Sequence, residues 1–244
     1  EAVNALKPWN EQKGDIQVLA MNAIGYAMAI SGARGQAVQV LSSCSEQHPD
    51  NGVSLLNAAQ VFRAANMPQF AAKALSKLTA VFPENIETHA LLFRVLRESG
   101  MQQAARQEAE VMYALFPDSR EASSAVCGIY MDGKELDHAG KITEQYLLLH
   151  PDDTEMLLTK AMVLLREGRT QEALDILGKT PPSEAFLPGI ISMTALSNAL
   201  LGNWQGVIDS VGPNITNSTP LNLRFILAAA YIKTGQKDKV AALL

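Results

Sequence analysis

Apolar positions along this chain gather in stretches of about three helical turns, each closed by a glycine, a short polar run or a proline. The stretch "AMVLLREGRTQEALDIL", Ala161–Leu177, shows the pattern: an apolar run to Leu165, a polar break at Gly168, then Ala173, Leu174, Ile176 and Leu177 at helical spacing. "AAAYIKTGQKDKVAALL", Ala228–Leu244, does the same. Runs of β-branched residues with period-two alternation are missing, and Ala, Leu, Gln, Glu and Met dominate. The pattern predicts amphipathic helices in pairs and no sheet.

The breaks are periodic. Pro49, Pro83, Pro117 and Pro151 follow one another at intervals of 34 residues, each with an acidic residue behind it. With Pro49 at position 32, units run over 18–51, 52–85, 86–119, 120–153, 154–187 and 188–220. A seventh covers 221–244, cut short in its second helix, and residues 1–17 precede the register as a cap or the tail of an earlier repeat. Position 8 reads Gly25, Ala59, Phe93, Cys127, Ala161 and Ala195. Position 20 reads Ala37, Ala71, Ala105, Ala139, Ala173 and Val207. Position 15, between the helices of a pair, reads Gly32, Asn66, Gly100, Lys134, Gly168 and Gly202.

Small residues at positions 8 and 20 let two helix backbones approach, where a bulky side chain would overpack. The late proline lacks an N–H and clashes with the preceding turn, so it ends the second helix. Asp50, Glu84, Asp118 and Asp152 then lie near the start of the next helix, where negative charge is favourable. One such pair cannot bury its own apolar face and stacks on its neighbours.

In these positions residues 18–244 resemble the tetratricopeptide repeat family, whose signature is a large residue, L-G/A-x2-Y, A-x3-F and a late proline. The resemblance implies an all-α fold, a right-handed α-solenoid superhelix of stacked antiparallel helix pairs with 34-residue repeats. Departures are expected at Phe93, too large for a close crossing, and at Pro181 and Pro182, which shorten a second helix. "GPNITNSTP", Gly212–Pro220, is expected as a polar loop. The chain begins at Glu1 without Met and closes on "VAALL" with no polar cap, so a fragment of a longer array is expected.

Composition narrows the function classes. The chain has 244 residues, 48% apolar and 18% charged, with a net charge of −5. That balance suits a folded chain and offers nothing to a nucleic-acid backbone or an anionic membrane surface. The most apolar segments, near Ile16–Ser31 and Ile190–Leu201, are interrupted by Gln17, Asn22, Ser192, Thr194, Ser197 and Asn198, so no membrane insertion of this segment is expected. Cys44 and Cys127 read as small core residues rather than a disulfide or nucleophiles. His48 and His150 share one repeat position, His89 lies at position 4 of its unit, and His138 falls in a turn. No metal-ligand spacing, phosphate loop or serine elbow is present, so no catalytic residue, metal or cofactor is expected. The motifs at Asn214 and Asn217 match glycosylation sequons, and in a polar loop chance explains them at least as well.

The resemblance also implies where binding occurs. First-helix positions of the family line a concave groove; carried over, they include Asn22, Tyr26, Gln60, Arg63, Arg94, Arg97, Leu158, Met162 and Arg166. Leu165, Leu196 and Leu200 extend the apolar part. The family's carboxylate clamp is unmatched, because Asn57 fits one place but the lysines are missing. The expected function is a non-catalytic scaffold that holds a peptide or helix of a protein partner, the arginines pairing with its acidic side chains. The structural alternative is that these arginines stay solvated or pair with Glu98 and Glu121. A second function class is a self-assembling array stacked through apolar ends near Ile16–Ile30 and Val240–Leu244. A third setting is the periplasmic scaffold of a bacterial envelope or exopolysaccharide export system, a fold-level analogy that leaves cytoplasm and periplasm both open.

Overall fold

The computed structural model describes residues 14–181, 185–216 and 218–243. Among them are thirteen α-helices: α1 (Asp15–Ile30), α2 (Arg34–Gln47), α3 (Gly52–Ala64), α4 (Pro68–Val81), α5 (Ile86–Glu98), α6 (Gln102–Leu115), α7 (Arg120–Asp132), α8 (Leu136–Leu149), α9 (Thr154–Arg166), α10 (Thr170–Lys179), α11 (Leu187–Leu200), α12 (Trp204–Val211) and α13 (Leu221–Lys233). Two 3₁₀ helices, Gly212–Asn214 and Lys237–Ala242, follow α12 and α13. The chain divides after Pro117 into two compact units, α1–α6 and α7–α13. In each, consecutive helices pack as antiparallel pairs, and each pair stacks on the next.

The joint between pairs repeats the same local chemistry. The residue after each second helix (His48, Phe82, Phe116, His150) has φ between −132° and −127° and ψ between 62° and 69°. That non-helical backbone is what a following proline demands. The proline and its acidic neighbour then fill a tight turn, closed where Asn51 N–H donates to the His48 carbonyl at 3.1 Å and Asp153 N–H to the His150 carbonyl at 3.2 Å. The next residue caps the new helix. Asn51 Oδ1 accepts from Ser54 N–H at 2.9 Å, Asn85 Oδ1 from Thr88 at 2.8 Å, Ser119 Oγ from Ala122 at 3.3 Å and Asp153 Oδ1 from Met156 at 3.0 Å. The acidic residue after the proline thus lies in the turn, and the cap is the residue behind it.

Within pairs the chain reverses through left-handed backbone. Gly32, Gly100, Gly168, Gly202 and Gly235 have positive φ, and so do Asn66 at 56° and Lys134 at 61°. Around the crossings, Ala37, Ala71, Ala105, Ala139, Ala173 and Val207 are fully buried. A Cβ on Gly25 would lie 2.5 Å from Leu41 Cδ2, which shows how closely α1 and α2 approach. Phe93 keeps part of its bulk outside, half-buried, with the Arg97 guanidinium 5.9 Å from its ring centroid.

Later elements are less regular. α10 has 10 residues where α8 has 14, stopping at Lys179 before Pro181. α12 has 8 residues and runs into the 3₁₀ turn at Gly212. The last second helix winds as 3₁₀ and not as α; Leu243, just past it, is buried in one cluster with Val207, Val211 and Leu227, and Val240 packs partly buried against that cluster. The N-terminal segment 1–13 and Pro182 lie outside the described residues.

Candidate functional site

In the first unit a cleft of about 490 Å³ runs between α1 and α3. α1 supplies Leu19, Asn22, Ala23 and Tyr26; α3 supplies Asn57, Gln60, Val61 and Ala64. Each set follows the i, i+3, i+4, i+7 spacing of one helix face. The opposite sides of the helices are buried: Val18 and Met21 pack on Cys44, and Leu55, Ala58, Ala59 and Phe62 are core residues. Packing therefore decides which face is left over, and the cleft is that face.

Its side chains are unequally exposed. Leu19 and Tyr26 stand 60% and 50% exposed, one turn to either side of Asn22. Asn22 is 6% exposed, and neither Nδ2 nor Oδ1 has a hydrogen-bond partner. Three of the eight lining residues are carboxamides and none carries a formal charge at neutral pH. Val53 and Ile30, both exposed, add apolar surface on the same two helices.

The arginines foreseen for the groove stand outside this cleft. Arg63 and Arg94 are exposed and make no ion pair among the described residues, while Arg97 lies over Phe93. Glu121 is beside Arg120, whose guanidinium also reaches Asp153 and Glu155.

In the second unit, Leu158 and Leu165 are half-buried against the core of Ala161, Leu164, Ala173 and Leu177. Met162, Leu196, Leu200, Phe225 and Ile232 remain exposed on the first helices α9, α11 and α13. Arg166 is tied back, donating from Nη1 to the Met131 carbonyl at 3.0 Å. A smaller cleft of about 250 Å³ has Leu187, Ile191, Val211 and Leu223 in its wall and Thr216 and Thr219 at its rim. Arg224 holds that rim by donating to the Thr219 and Thr216 carbonyls at 3.0 and 3.1 Å. Asn214 is exposed and donates to the Ser210 carbonyl, and Asn217 lies outside the described residues.

On the charged surface near the α7–α8 and α9–α10 turns, Arg169 is paired within the chain. Arg169 donates to Glu167 at 3.0 Å and to Glu172 at 2.7 Å, and the bond to Glu172 holds that carboxyl below its usual range. His138 falls in the first turn of α8, stacked on Tyr130. Both cysteines are free and buried. Burial pushes the Cys127 thiol up to about 12 and raises Cys44 as well, outweighing the opposing hydrogen bond to Ser54. Buried, protonated thiols are poor nucleophiles. Among the described residues no group of three or more His, Cys, Asp or Glu could hold a metal ion. No described helix is long and apolar enough to cross a membrane.

Three functional features escaped the sequence reading. The N-caps carry a recognisable signal, a polar residue one place past each Pro–acid pair. The contact of His89 Nδ1 with Glu108 Oε1 across α5 and α6 and the unpartnered state of Asn22 carry none, because both depend on what other helices bring near.

No protein-family model matches the chain, and no curated protein matches it in sequence. Solved structures are similar in fold. PilW, a type IV pilus biogenesis factor, superposes with a TM-score of 0.53 at 13% identity, over 90% of this chain and 98% of that one. A tetratricopeptide repeat protein from Parabacteroides merdae gives 0.53 at 14%, over 93% and 90%. Pseudomonas aeruginosa PilF gives 0.52 at 16%, over 92% and 96%. The chain has the tetratricopeptide-repeat fold.

Proposed function

We propose that this chain is a non-catalytic interaction scaffold that holds a peptide or helix of a protein partner along the first helices of its pairs. One observation carries the reading. Within each unit the exposed large apolar residues include a set on first helices: Leu19, Tyr26, Ile30 and Val53 in one, Met162, Leu196, Leu200, Phe225 and Ile232 in the other. Second helices carry exposed apolar residues too, among them Val111, Leu115, Leu148 and Leu149, and what sets the first-helix residues apart is that Leu19 and Tyr26 line the α1–α3 cleft. Groove-facing first helices are a recurring docking surface of stacked-pair folds.

The partner's character differs along the chain. Arg63, Arg94 and Arg97 would engage acidic groups, and the Met162–Leu196–Leu200 surface would take apolar ones. One fold neighbour is a type IV pilus biogenesis factor. A part in a bacterial envelope assembly of that kind is the setting in which we place the scaffold.

The test is affinity capture with the whole chain and three variants. Leu196→Glu/Leu200→Glu is expected to lose the captured partner, and Arg94→Glu/Arg97→Glu to weaken it. Leu148→Glu, 82% exposed on the second helix α8, is expected to retain it. If the first-helix variants capture as wild type does, the groove reading is wrong.

A further inference from the structure

We infer that Asn51 is a spontaneous modification site, where the folded chain closes a succinimide onto Gly52, loses ammonia and goes on to aspartate and isoaspartate. The inference goes beyond the scaffold reading and does not depend on it.

Asn51 is the only asparagine of the chain that is followed by glycine. Without a Cβ on the next residue, the backbone nitrogen behind an asparagine lies open to the side-chain carbonyl carbon. Packing keeps the glycine in place. A Cβ on Gly52 would lie 2.7 Å from Phe82 Cε2, so the ring fills the space a side chain would need.

Asn85 is a matched comparison inside the same unit. Both asparagines are N-caps of first helices behind a proline turn, with φ −84° and ψ 96° at Asn51 and φ −96° and ψ 96° at Asn85. Each Oδ1 accepts a backbone N–H, from Ser54 at 2.9 Å and from Thr88 at 2.8 Å. The difference is the next residue. Ile86 is β-branched and crowds the amide behind Asn85, whereas Gly52 has nothing to crowd with.

The reaction needs only water and a base. Hydroxide or a buffer base takes the Gly52 amide proton, and the nitrogen bonds to Asn51 Cγ. Negative charge collects on Oδ1, where the Ser54 N–H and the positive end of α3 stabilise it. The Cγ–Nδ2 bond then breaks, and Nδ2 takes a proton from water and leaves as ammonia. Water reopens the imide in one of two ways. Cleavage of the new Cγ–N bond gives aspartate. Cleavage between the main-chain carbonyl carbon and the same nitrogen gives isoaspartate, with the chain running through Cγ. Asn51 and Gly52 are both half-buried, so solvent reaches them.

The two products act differently on the fold. Aspartate keeps an acceptor for the Ser54 N–H and adds a negative charge at a helix N-terminus. Isoaspartate inserts a methylene into the main chain. It also turns the carbonyl that accepts from Leu55 N–H at 3.1 Å into a free carboxylate. The cap and the first intrahelical bond of α3 then cannot both be kept, and the α2–α3 joint loosens.

The experiment incubates the whole chain in mildly alkaline buffer at body temperature. Peptide mapping follows Asn51 and Asn85, and an isoaspartyl methyltransferase marks the isomer. Asn51 is expected to convert at least about tenfold faster than Asn85 and to yield both products. Ile86→Gly should bring Asn85 up to the rate of Asn51. An Asn51 that persists as long as Asn85 in the unaltered chain overturns the inference, and so does an Asn85 left slow by Ile86→Gly. Urea below the unfolding transition should leave the Asn51 rate unchanged; a rate that climbs with the unfolded fraction assigns the reaction to the unfolded chain and overturns it too. The isoaspartate fraction, separated by ion exchange, should melt below both the parent and Asn51→Asp. If it melts with them, the loosening of the joint is wrong.

Discussion

His89 Nδ1 lies 2.5 Å from Glu108 Oε1, a hydrogen-bond contact between α5 and α6 inside the first unit. The other ring nitrogen, Nε2, lies 3.1 Å from the Pro83 carbonyl. A carbonyl only accepts, so Nε2 carries a proton and donates to it. The imidazole therefore ties three segments: its own helix, the second helix of its pair, and the proline turn that precedes it.

Replacing His89 by Phe is expected to destabilise the chain by about 3 kcal/mol, because the mostly buried Glu108 carboxylate loses its partner. Glu108→Leu added to His89→Phe should recover much of that loss, since an apolar pair leaves no charge unmet. Urea unfolding of the two singles and the double checks this; a double as unstable as the sum of the singles would remove the coupling.

Lys134 occupies left-handed backbone at φ 61° in the α7–α8 turn, a conformation a residue with a Cβ adopts at a cost. Lys134→Gly should stabilise by about 1 kcal/mol, and Gly168→Ala, at the equivalent turn with φ 79°, should destabilise by about as much. A Cβ at Gly168 meets nothing within 4 Å, so the second effect is backbone strain and not a clash. Opposite shifts in the thermal midpoint are the expected result.

Asn85 satisfies the Thr88 N–H at the start of α5 and also accepts from the Thr88 hydroxyl at 3.0 Å. Asn85→Ala is expected to cost about 1 kcal/mol, and Asn85→Asp to retain most of the stability. Glu84→Ala, one residue earlier in the exposed turn, should be near neutral in the same denaturation series.

The Cys127 thiol, at about 12 against its usual 9.0, contributes stability with a definite pH signature. The folded value is the higher one, so the contribution is complete below about 9 and is lost as pH rises toward about 12. Wild type should lose stability relative to Cys127→Ala across that window. At neutral pH, iodoacetamide should label Cys127 only as fast as the chain unfolds, and rapid labelling of the folded chain would contradict the burial.

Much of the architecture was legible in the residue pattern, for local reasons. Pro83 and its counterparts end a helix through their own ring and missing N–H, wherever they are placed. Gly168 admits left-handed backbone whatever surrounds it. Ala71 and Ala105 are small before they are buried. A repeat multiplies such local signals until their spacing is plain.

The candidate site was legible only as a set of positions. Asn22, Tyr26 and Gln60 were named from their place on first helices, yet nothing in the sequence separated them from Arg63, one turn past Gln60 on α3. Tertiary packing made the distinction. It sank the Asn22 amide beside α3 without a partner, left Arg63 in water, and drew Arg166 back to the Met131 carbonyl. His89 was a polar letter at an inward position until α6 brought Glu108 to it. Helix ends and turns are decided by short-range sterics and hydrogen bonds, which residues carry with them. Whether a polar group is met, exposed or stranded depends on neighbours distant in sequence, and only the stacked helices supply those.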